Sequence, residues 1–261
     1  MIWLVVLSAA WAPGCTTLGP MPTTTGISAV PSGRPGIEAQ AGLVPGYFLS
    51  SATQEPSHKG DPTGQLLALV EPDHWLGTHG LVAGARTWGH KADGAVEPFL
   101  GFRHRLDDDL ALALIGHGTT MHGAEHGASY RATRIGGEFA LDARLLAPTT
   151  WLAIHGQAAV SATYLDARGT YCADPDGLGI DCNQDGRDRI IDGTVRGVFA
   201  AATATLALDF GRLPAGSFHS FRLAVLGATG VMPQVRNGLE TDGVHYVSFG
   251  LTLTLGLGSA Q

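Results

Sequence analysis

Charge is scarce in this sequence. Only 15% of its 261 residues are Asp, Glu, Lys or Arg, against about 25% in an ordinary soluble domain. The charge present leans acidic, to a net −7. A phosphate backbone would find no electrostatic support, so nucleic-acid binding is excluded. Aromatics make up 7%, and there are three cysteines. No apolar run reaches the ~18 residues that a membrane-spanning helix needs. There is no G-x-S-x-G, no H-E-x-x-H and no phosphate-binding glycine loop. No catalytic residue is therefore assigned, and the chain is not read as an enzyme. What the sequence does have is 44% hydrophobic residues, too many for disorder, and 37 glycines, about twice the usual share.

The N-terminus reads MIWLVVLSAAWAPG, uncharged and apolar from Ile2 to Ala10 except for Ser8. This is the apolar core of a secretory signal, expected over residues 1–14. Small residues followed by Cys15 resemble the lipobox of bacterial lipoproteins. That resemblance implies cleavage before Cys15 and a lipid on its thiol, tethering the mature end to a membrane surface. Residues 16–35 are rich in Thr, Pro and Gly without periodicity, so 15–35 is expected to be a lipid-anchored flexible tether. With Cys15 set aside, Cys172 and Cys182 remain. An even remainder in an exported chain reads as a disulfide.

Beyond residue 35 the pattern has period two. From Val247 the series Val247, Phe249, Leu251, Leu253, Leu255 and Leu257 alternates with Ser248, Gly250, Thr252, Thr254 and Gly256. Side chains alternate across a strand, so one face is oily and the other small or wettable. The same alternation marks 129–144, 150–165 and 195–210. It marks 110–118 too, except that Ile115 falls out of step with Leu110, Leu112 and Leu114. Weaker segments lie at 36–51, 64–74, 80–89, 95–105 and 217–230. That makes ten strands, with eight or twelve as alternatives. The connections alternate between short and long, the longest at 167–192.

This arrangement resembles bacterial outer-membrane β-barrel proteins over about residues 36–257. The resemblance implies an all-β, antiparallel up-and-down transmembrane barrel in the outer membrane, with its N-terminus on the periplasmic side. Its partners would be the lipid bilayer and an extracellular molecule met by the outer loops, and its role structural or surface-interactive. Two alternatives stand beside it. One is a narrow pore or transport barrel. The other is a soluble β-sandwich lipoprotein that binds a ligand or partner, since sandwich strands alternate too and the aromatics are few for two interfacial girdles.

If the apolar faces meet lipid, the opposite faces carry Glu38, Gln40, Glu97, Arg103, Arg134, Glu138, Asp142, Asp209 and Arg222 inward. Charges confined in a narrow lumen should pair, which predicts a plugged interior cross-linked by salt bridges, or else a narrow polar channel. Within the 167–192 loop, Asp181, Asn183, Asp185, Gly186 and Asp192 resemble the calcium loop of EF-hand and dockerin repeats. A calcium ion is one reading of that loop; a polar loop closed by the Cys172–Cys182 bridge is the other. His117, His122 and His126 share a Gly-rich stretch with no metal-ligand spacing, and solvated histidines are expected there.

Overall fold

The computed structural model describes residues 27–30, 36–44, 46–49, 56–59, 63–71, 79–90, 93–125, 128–172, 190–211, 218–236 and 239–258. All regular structure among them is strand: β1 (Gly36–Val44), β2 (Gly46–Leu49), β3 (Pro56–Lys59), β4 (Thr63–Glu71), β5 (His79–His90), β6 (Asp93–Arg105), β7 (Leu110–Glu125), β8 (Ala128–Thr149), β9 (Leu152–Cys172), β10 (Ile190–Gly211), β11 (Phe218–Arg236) and β12 (Leu239–Gly258). No helix among the described residues is long and apolar enough to cross a membrane.

The strands form one antiparallel sheet in which neighbours in sequence are mostly neighbours in space. It curls strongly, nine strands turning through 280°. β1 pairs with β4 on one side and with β12 on the other. β2 continues along β12 where β1 stops: Leu43 lies opposite Leu251, and Gly46 opposite Ser248. The intervening residue in sequence is Pro45, which has no N–H to give a ladder. The segment expected at 36–51 is therefore two pieces of one ladder.

Alternation sets the two faces. Outward go Leu100, Leu114, Ile135, Val160, Val198, Leu206, Val225, Phe249 and Leu251, all more than half exposed. Inward go Ala111, Ala113, Ala140, Ala159, Ala201, Ala207 and Ala224, all buried. Small inner residues let a sheet curl tightly. Ile115 obeys the same alternation: with Ala111, Ala113 and His117 it is buried on the inner face. It packs there in one cluster with Ile27, Ala29, Val82 and Phe99.

Three connections differ from expectation. β7 and β8 are paired as far as Glu125 and Ala128, β11 and β12 as far as Arg236 and Leu239, and β9 and β10 as far as Cys172 and Ile190. Residues 119–127, 231–243 and both ends of 167–192 were expected as loop, yet most are ladder. Once both faces of a hairpin meet water the apolar period fades, while backbone hydrogen bonding continues. At the other end the turn after β6 is short. Asp107 Oδ1 accepts from the backbone N–H of Asp109 and of Leu110, each at 2.7 Å, an Asx arrangement that fixes the reversal.

Candidate functional site: the inner face and its ion clusters

The inner face carries two groups of buried charge. In the first, Glu97 on β6 is the hub. Arg86 from β5 pairs with its Oε2. Arg134 Nε from β8 lies 2.9 Å from its Oε1, and His117 Nδ1 from β7 is 3.0 Å from the same oxygen. These four side chains are wholly buried. The Arg134 guanidinium also stands 5.7 Å from the centre of the buried Phe199 ring, within cation–π range. Gly136 makes room for this packing: a Cβ there would sit 2.9 Å from His117 Cε1 and 2.7 Å from the Ala162 carbonyl oxygen.

The second group lies nearer the short-turn end. Arg222 on β11 donates through Nη2 to Asp142 Oδ2 at 3.0 Å and through Nη1 to Asp209 Oδ2 at 3.1 Å. His155 bridges the same two carboxylates, with Nδ1 at 2.6 Å from Asp142 and Nε2 at 3.5 Å from Asp209. Beside them Arg103 grips Glu38 with both Nη atoms, at 2.9 and 3.1 Å, the bidentate fork that matches a carboxylate.

This second group holds a piece of chain outside the sheet. Residues 27–30 lie against the inner wall, with Ile27 and Ala29 buried. Gln157 Nε2 donates to the Ile27 carbonyl at 2.8 Å. Arg222 Nη1 donates to Ser28 Oγ at 2.6 Å. Arg103 Nη1 donates to the Val30 carbonyl at 3.3 Å. The segment is thus fixed at three of its four residues by side chains from three strands, and its two buried apolar residues, Ile27 and Ala29, share a cluster with Ala113, Ala140 and Ala159.

Glu38, Gln40, Glu97, Arg103, Arg134, Glu138, Asp142 and Arg222 are all buried on this face, and Asp209 is partly so. Sequence reasoning did not include Arg86, His117, His155 or Gln157 among these ion partners, nor residues 27–30. His117 is a correction: instead of being solvated it is buried against Glu97, whereas His122 is exposed. His155 and Gln157 did have a signal, since they share a face with Ser161 and Thr163. The other sequence-derived sites scatter. Cys15, Asp181, Cys182, Asn183, Asp185 and Gly186 lie outside the described residues. Cys172 ends β9 opposite Ile190, and Asp192 lies in β10 opposite Thr170. Among the described residues no group of three or more His, Cys, Asp or Glu is placed to hold a metal ion.

No family model matches the chain, and no curated protein matches it. Several solved structures are similar to it over most of its length. The translocator domain of the autotransporter NalP from Neisseria meningitidis is 10% identical, with a TM-score of 0.41, over 87% of this chain and 89% of that one. Neisserial surface protein A is 10% identical, with a TM-score of 0.33, over 84% and 96%. Ail, the attachment invasion locus protein of Yersinia pestis, is 8% identical, with a TM-score of 0.32, over 86% and 99%. At these scores no function is carried across.

Proposed function

We propose that the chain is a closed ten-stranded β-barrel of the bacterial outer membrane, and that it works as a narrow transport barrel held shut at rest. Closure is supported by β1, which has a partner at each edge. Membrane insertion is supported by the outer face. Its Leu, Ile, Val and Phe side chains, most of them more than half exposed and adjacent across the ladders, form the kind of contiguous apolar surface that marks a membrane or partner contact. At the short-turn end, Trp151 stacks on Phe210 with centroids 6.2 Å apart, and Phe210 meets Phe221 edge-on at 5.5 Å. Aromatics grouped at one level are what a membrane interface favours. The export signal, a lipid on Cys15, a periplasmic N-terminus, the Cys172–Cys182 bridge and calcium in the outer loop belong to the same proposal.

One observation carries the transport reading: the interior is filled in part by residues 27–30, which belong to no strand. A barrel that served only as an anchor could fill its lumen from its own wall. Here part of the filling is a segment outside the sheet, held by side chains of a charged lining. The test is conductance in planar bilayers. Wild-type protein should be silent. An Ile27→Asp/Ala29→Asp variant, whose carboxylates cannot stay in the apolar seat, should give single-channel steps. If the variant retains its heat-sensitive gel mobility and stays silent, the structural or surface-interaction role replaces the transport reading.

A further inference from the structure

The ladder registers of β8, β9 and β10 line up three outward-facing rows. The first is Ile135, Tyr164 and Val198; the second Thr133, Asp166 and Arg196; the third Arg131 and Arg168. The first row ends the apolar belt, with all three side chains exposed. The next two rows, remote from the short turns, hold three arginines and one acid. Asp166 lies 3.1 Å from Arg168 Nε and 3.2 Å from Arg196 Nε, while those arginine side chains remain 61% and 48% exposed. Arg131 is exposed, directly opposite Arg168. One carboxylate cannot neutralise three guanidinium groups, so these two rows carry two net positive charges. The opposite rim differs. Asp107, Asp108 and Asp109 are exposed there, and Arg144 pairs with Asp109.

We propose that Arg131, Arg168 and Arg196 form a docking surface for the phosphate groups of an anionic lipid in the leaflet remote from the short turns. The inference rests on the membrane-barrel reading, because only a bilayer around the belt places headgroups at this height. Guanidinium forks match phosphate oxygens bidentately. Their position just beyond the last apolar row lets the acyl chains run down over Ile135, Tyr164 and Val198 while the headgroup meets the arginines. Basic side chains at such a level favour anionic lipids. Asp166 accepts from both Nε and Nη2 of Arg168 and lies beside Arg196 Nε, so it holds the two arginines side by side while Arg168 Nη1, the Nη groups of Arg196 and the whole Arg131 fork face the ligand.

The test uses the full chain in detergent, offered a bisphosphorylated glycolipid and its dephosphorylated form in equal amounts, with bound lipid counted by native mass spectrometry. The expected preference for the phosphorylated form is about twenty-fivefold, two net charges at about fivefold each. It should fall to near unity in Arg131→Gln/Arg168→Gln, and partway in Arg131→Gln alone, which trims a single exposed side chain. Inorganic phosphate at the same concentration should displace none of the lipid. Equal binding of the two lipids, an unchanged preference in the variants, or displacement by inorganic phosphate would each overturn the proposal. Heat-dependent gel mobility is read in parallel. Its absence from the wild-type chain would overturn the barrel reading, and this surface with it; its presence without lipid preference overturns the surface alone.

Discussion

The two buried ion clusters use the same side-chain types to different ends. The Glu97 cluster draws one residue from each of four adjacent strands, β5 to β8, and is sealed within the sheet. The Arg222 cluster joins strands too, but three of the hydrogen bonds at its level end on residues 27–30. One cluster ties wall to wall, and the other ties wall to filling. Buried ion pairs rarely add net stability over apolar packing, yet breaking one partner of such a pair is costly. In the first cluster that penalty protects the sheet. In the second it is divided between the sheet and a segment that belongs to no strand.

The sharpest way to break this distinction is Glu97→Gln. It removes the one carboxylate that Arg86, Arg134 and His117 share, and the expected loss is about 3–5 kcal/mol of stability, read as a fall in the urea midpoint of the cold-SDS-resistant form. Next comes Arg222→Met, which keeps the bulk but frees Asp142, Asp209 and Ser28 from the guanidinium. About 2–3 kcal/mol should be lost, and, unlike Glu97→Gln, this change should open residues 27–30 to limited proteolysis. If Arg222→Met left the segment protected, the two clusters would be one kind of structure and the proposed transport reading would lose its support. Arg144→Ala is the smallest change. Its pair with Asp109 is surface-exposed, so the cost should stay below about 1 kcal/mol, with the segment still protected.

Much of the fold could be read from period-two alternation, because one oily and one small face leave a regular imprint wherever the sheet is wetted by different solvents. β8, β9, β10 and β12 fall where Phe139, Val160, Leu206 and Leu251 mark an outward row. The extended hairpin ends were illegible for the converse reason: Asp166 and Arg168 sit on the end of β9 beyond Tyr164, where the outer face meets no hydrocarbon in the proposed placement, so nothing in the pattern distinguishes ladder from loop. The inward charges Glu97, Arg103 and Arg134 could be read as polar members of otherwise apolar strands. Residues 27–30 could not, because ISAV in a Thr- and Pro-rich stretch has no period, and its seat is made of residues distant in sequence. Ile115 was the one hint. An apolar residue facing a polar interior asks for an apolar neighbour, and Ile27 and Ala29 share its cluster.

The seam between β1 and β12 has a consequence for how the molecule is made. Gly36 opposite Gly258 is the pair most widely separated along the chain anywhere in the sheet, whereas every other principal strand meets its sequence neighbour. Local hairpins close cheaply and a junction of such span closes at the greatest entropic cost. The hairpins should therefore zip first, as an open ribbon, and the seam last. Until then the ribbon has two bare edges, each able to template a strand from a second copy. The hazardous stage in the life of this protein is the interval before its first and last strands find each other.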